Sequence, residues 1–229
     1  MTVQTAMAAA ATLVALAFSM STFERWLARR RRHELAWSVA LLLFALGSGS
    51  LWLGAANGWN GPTFRAFYLF GAIVNVPVLA LGTVYLVGGQ RRGDRWAAAV
   101  GLLSAFAAGV VVVAPLEGPV PADRLPQGSD VFGPLPRILA AVSSSGGALV
   151  VLGGAAWSAW RLRKGGGGAG GRRLAGANVL IAAGTLVLAA SGVLNSVLDE
   201  MEAFSVSLVL GITLIFGGFL VAVAAPRRR

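Results

Sequence analysis

The sequence predicts an all-α polytopic membrane protein of seven transmembrane helices, with the N-terminus outside and the C-terminus cytoplasmic. Three observations predict it. Of 229 residues, 56% are hydrophobic and only 12% charged, with a mean hydropathy of +0.74. That charged fraction is about half that of an ordinary soluble domain. Seven apolar stretches follow one another along the chain, and spans of about 20 residues each cross a hydrocarbon core of about 30 Å. They use up most of the sequence, so residues 1–229 read as one membrane domain. Finally, every Lys and Arg except Arg65, Arg124 and Arg137 falls in alternate connections or in the C-terminal tail. Basic segments stay cytoplasmic, so this alternation sets span number and orientation together.

The first span is expected roughly over Gln4–Ser21. No charged segment precedes it and the arginines follow it, an order that argues against a signal peptide and drives the N-terminus outward. ARRRRHE (28–34) then faces the cytoplasm. Span two runs roughly Leu35–Ala55, and the turn NGWNGPTF leads outside into span three, roughly Phe64–Val87. GGQRRGDR is cytoplasmic and span four covers roughly Trp96–Ala114.

The longest connection, LEGPVPADRLPQGSDVFGPLP, carries five prolines and acidic residues, which predict an irregular, surface-lying outer loop. Span five runs roughly Arg137–Trp160. RLRKGGGGAGGRR is an inner linker, span six covers roughly Leu174–Asn195, LDEME is external, and span seven is roughly Phe204–Ala225. Trp26, Trp59, Trp96, Trp157 and Trp160 fall near span ends, where amphipathic rings are favoured. Gly101, Ala105 and Gly109 are spaced for close helix approach on span four.

Absences narrow the function. The pI of about 11.7 would signal nucleic-acid binding in a soluble protein. Its distribution here is a topology signal, and no nucleic-acid partner is expected. The chain has no cysteine and one histidine, His33, which excludes disulfides, thiol nucleophiles and multi-histidine metal or haem sites. No Asp, Glu, Lys or Arg falls in the middle of a span, where pumps and coupled carriers place one. Lys164 lies in an inner connection, so a retinal Schiff base is excluded. The run GGGGAGG (165–171) follows a membrane helix rather than a strand, so it reads as a linker and not as a dinucleotide site. No catalytic residue, metal or cofactor is expected. Arginine in place of lysine, with abundant Ala, Gly and Val, points to a bacterial plasma membrane.

Asn75 and Pro77 are the strongest internal oddity. Counted from Phe64, Asn75 lies about 16 Å deep, near the midplane. Proline frees a carbonyl and kinks the span, and an amide beside it bonds either a neighbouring helix or a ligand. The structural role weighs ahead of ligand binding or gating. Arg65 and Tyr68, near the outer end of the same span, form the second candidate, with Arg65 snorkelling or pairing with an acid. Ser143–Ser145, Asn195 and Ser196 add polar groups to the outer halves of spans five and six. Asp199, Glu200 and Glu202, with Asp130, match no calcium loop and read as a solvated acidic turn. Arg29, Arg30, Arg31 and Arg32 both enforce orientation and suit anionic lipid headgroups.

The stretch Trp37–Gly88, containing WSVALLLFALGSGSLWLG and FRAFYLFGAIVNVPVLALGTVYLVG, resembles the seven-span input modules of bacterial sensor histidine kinases and cyclases, and seven-span actinobacterial proteins. The resemblance implies sensing. With Arg229 as the last residue and no output domain, it implies signalling through a cytoplasmic effector or a membrane subunit. The chain also resembles sugar carriers of the SWEET type, with three-helix repeats around a linker helix and an asparagine in the third span. Spans one, two, five and six lack that family's hinge prolines, however. A scaffold subunit is the third reading.

Overall fold

The computed structural model describes residues 3–164, 173, 176–177, 179–188, 190 and 201–223. Every regular element among the described residues is helical. The long helices are α1 (Val3–Arg29), α2 (Arg32–Asn57), α3 (Gly61–Gly88), α4 (Gln90–Val113) and α5 (Pro134–Lys164), followed by α6 (Val179–Leu188) and α7 (Met201–Val223). Five helices are long and apolar enough to cross a membrane: α1 to α4 and Pro134–Ser158 of α5.

Two of the arginine-bearing turns are tighter than the sequence implies. Only Arg30 and Arg31 separate α1 from α2, and only Gly89 separates α3 from α4. Arg32 and His33 of the basic run, and Arg91, Arg92 and Arg95, are therefore helical residues. Gly89 takes φ +78°, open to a residue without Cβ. Arg30 takes φ +53° and is the only non-glycine with positive φ among the described residues. That conformation costs a side-chain-bearing residue roughly 1–2 kcal/mol.

Small residues let the helices close on one another. Ala8, Ala11, Ala15 and Phe18 form the buried face of α1. Against α2 it is tied by Thr12 Oγ1 to Ser48 Oγ (3.0 Å) and by a reciprocal pair, in which Ser19 and Ser38 each donate to the other's carbonyl at 2.9 Å. Polar groups inside a bilayer need such partners. A Cβ added to Gly47 would lie 2.9 Å from the Gly71 backbone, which locates the α2–α3 crossing. One on Gly147 would lie 2.8–2.9 Å from Val76, locating the α3–α5 crossing. Phe18 meets Phe216 edge to face where α7 packs on α1.

Two expectations are corrected and a third is refined. The proline-rich connection is irregular and exposes many of its residues, as expected, but it also folds over one end of the bundle and buries Leu125, Val131 and Phe132. Its own backbone closes it, with Glu117 N donating to Val131 O (2.9 Å), and the turn between α2 and α3 holds it, with Trp59 N donating to Ala122 O (3.0 Å). Trp59 is a core residue rather than an interfacial anchor, lying across Gly54 with Phe67 edge-on at 5.6 Å. Trp96, Trp157 and Trp160 are exposed, as interfacial rings are. The stripe Gly101, Ala105 and Gly109 meets no helix among the described residues: all three are exposed, and no described atom lies within 4 Å of a Cβ added to either glycine.

Candidate functional site: the jointed third helix

α3 is not one uniform helix. Gly61–Phe67 is α-helical, Tyr68–Val74 is π-helical, and Asn75–Gly88 is α-helical again. Pro77 supplies a local cause. It has no N–H to give to the Ile73 carbonyl one turn back, and its ring crowds that carbonyl. A wider turn relieves the crowding, and π segments in membrane helices are tolerated where other groups satisfy the released carbonyls. Two side-chain donors reach carbonyls within this stretch. Asn75 Nδ2 donates to Gly71 O at 3.3 Å, and Ser144 Oγ of α5 donates to Ala72 O.

The two sequence candidates therefore bracket one device: Tyr68 opens the π stretch and Asn75 closes it. Asn75 and Pro77 are both buried. Among the described residues the Asn75 amide bonds its own helix, while the bond between helices comes from Ser144. Beside it, Ser143 is buried, and its hydroxyl has no hydrogen-bond partner among the described residues. Ser145 is exposed.

At the other end of α3, Arg65 is partly buried and pairs with no acid among the described residues. Its guanidinium donates to Val111 O and to Ala114 O (2.8 Å), capping the last carbonyls of α4, and lies 5.7 Å from the Phe132 ring centre. Helix C-termini attract such cations. Tyr68 packs against Phe132 (5.0 Å) and Phe64 (5.7 Å), with its ring over Gly128. Arg65 and Tyr68 thus seat the inward-folded loop on α3.

The arginines of the basic run 29–32 differ in their surroundings. Arg29 approaches Glu34 at 3.9 Å, and Arg30 lies over the Trp26 ring at 5.0 Å. Arg32 pairs with Asp94, whose carboxylate also accepts from Tyr85 Oη at 2.9 Å. With its oxygen turned toward Arg32, the Gln90 amide accepts from that guanidinium at 3.2 Å. Arg31 is exposed and stands just before α2 in an extended conformation. His33 sits edge-on to Trp37 at 5.2 Å. Tyr85 and Asp94 were not singled out from sequence, since Asp94 and Arg32 stand 62 residues apart, and Trp26 was read there only as an interfacial ring. Among the described residues, no three metal-ligating side chains come together. Asp199, Glu200, Asn195 and Ser196 lie outside the described residues, as does the side chain of Glu202.

These helices and their outward apolar faces define an all-helical membrane-embedded protein with a jointed third helix. Comparison with protein-family models, curated proteins and solved structures finds no match.

Proposed function

We propose that this chain is a seven-span bacterial plasma-membrane protein, N-terminus outside, of sensor-like and partner-modulating type, with α3 as the responding element. The observation that carries this reading is the π stretch Tyr68–Val74, set against Pro77 and held by Asn75 and Ser144. Moving such a stretch by one residue turns the helix beyond it by about 100° and shifts it by about 1.5 Å. Single-turn π segments recur at functional sites for this reason. The outer half of α3 seats the loop through Arg65 and Tyr68. The inner half ends beside the basic turns, where a cytoplasmic effector or membrane subunit would dock. Coupling needs an element with two discrete arrangements, and the joint supplies one.

The chain contains no cysteine, so any engineered pair is unique. Spin labels at Leu42→Cys on α2 and Leu86→Cys on α3, both exposed positions, report the inner-end separation by pulsed electron resonance. The expected result is two distance populations, merged into one by Pro77→Ala and re-weighted by Asn75→Ala. A single narrow population unchanged by Pro77→Ala would overturn the reading. Saturable solute flux in vesicles holding this chain alone would favour the carrier alternative.

A further inference from the structure

We propose that the inner end of the bundle binds one anionic glycerophospholipid, with its phosphate on Arg30 and Arg32 and an acyl chain along a groove between α1–α2 and α3–α4. The groove encloses about 490 Å³, within the roughly 300–1,000 Å³ of ordinary small-molecule sites. Its floor is aliphatic, with Leu35, Val39, Val78 and Leu81. Its polar end carries the two guanidiniums, with Trp26 and Tyr85 alongside. That polarity, charge at one end and hydrocarbon along the rest, matches an amphiphile, and the two aromatics are the ring types favoured at a membrane–water boundary.

The cations are placed in advance. Arg30 sits in a left-handed backbone position that a glycine would fill more easily, and its side chain folds back over Trp26. A turn alone needs no arginine there. Arg32 is held by Asp94 and Gln90, and Asp94 is in turn held by Tyr85. Among the described carboxylates near this end, Asp94 faces Arg32, buried Glu34 faces Arg29, and Glu24 is an exposed residue of α1 that does not line the groove. The groove end therefore keeps a cationic excess. Guanidinium forks match phosphate oxygens in pairs. Inorganic phosphate shares the headgroup chemistry but would leave the aliphatic floor uncovered. The site does not depend on the α3 joint. Only the leaflet, the inner one, rests on the orientation proposed above, and surface labelling tests that separately.

The test is native mass spectrometry of the full chain in detergent, with phosphatidylglycerol and phosphatidylcholine supplied equally. Wild type is expected to retain phosphatidylglycerol with a preference on the order of tenfold. Arg30→Ala/Arg32→Ala should abolish that preference. Arg91→Ala/Arg92→Ala removes equal charge outside the groove and should keep it. Ala97→Trp fills the groove without touching an arginine and should prevent retention. Val39→Phe serves in its place if that variant elutes as aggregate. Equal loss from both arginine pairs would overturn the proposal in favour of diffuse attraction. Retention by the groove-filling variant would also overturn it. Displacement of the lipid by inorganic phosphate at matched concentration would make this a headgroup-only anion site and refute the acyl-chain half.

Discussion

Removing the Arg65 guanidinium would strand the carbonyls of Val111 and Ala114 at the end of α4. Hydrogen bonds to a charged group contribute about 1.5–3 kcal/mol. Arg65→Ala is therefore expected to destabilise the protein by about that much, seen as a lower thermal midpoint in detergent. Arg65→Lys should recover part of it, since an ammonium reaches one carbonyl but lacks the fork. A midpoint unchanged in Arg65→Ala would mean that water or lipid caps α4 equally well. Asn75→Ala and Ser144→Ala each remove one bond of the kind that averages about 0.6 kcal/mol inside membranes. Both variants should fold. Because they hold adjacent carbonyls of one π stretch, their effects on the α3 distance populations should be non-additive. Additive effects would show that the two bonds act independently. Asn75 and Pro77 were legible in the sequence because an amide and an imino acid are chemically out of place in an apolar span. The partners were not: Ser144 stands 72 residues from Ala72 and looks like any small helix residue.

At the scale of elements, glycines divide by what faces them. Gly147 touches the Val76 backbone and Gly82 faces the Trp37 indole, so even a methyl must displace a neighbour. Gly147→Ala is expected to cost about 1–3 kcal/mol by forcing α5 from α3, measured by the denaturation midpoint. Gly101→Ala and Gly109→Ala meet open space. They should be neutral or stabilise by up to about 1 kcal/mol through helix propensity. A marked loss there would reveal a partner on the outer face of α4. Periodicity shows which residues share a helix face. It does not show which face finds a neighbour, and α4, the most apolar span by hydropathy at 2.2, is also the least covered.

For the whole molecule, large apolar side chains stand outward: Leu102 is 74% exposed, Val113 79% and Leu149 70%. In water that surface would drive aggregation, while in lipid it is the solvent-facing side. The alternating arginines then make a prediction about sidedness. Ser129→Cys in the inward-folded loop should react with an impermeant maleimide in intact cells, and Arg91→Cys only after the membrane is opened. The reverse pattern would invert the proposed orientation.

The membrane environment and the helical class were determined by the sequence alone, because hydropathy over 20-residue stretches is a local property of a chain in a two-phase solvent. The jointed α3 was half determined there: Pro77 predicts a kink, and the π stretch needed the Ser144 contact from α5 to satisfy it. The seating of the proline-rich loop on Arg65, Tyr68 and Phe132, and the groove joining Arg30 and Trp26 to Tyr85, were decided only by tertiary structure. Both depend on side chains from helices far apart in sequence meeting at one depth, and helix packing sets that depth.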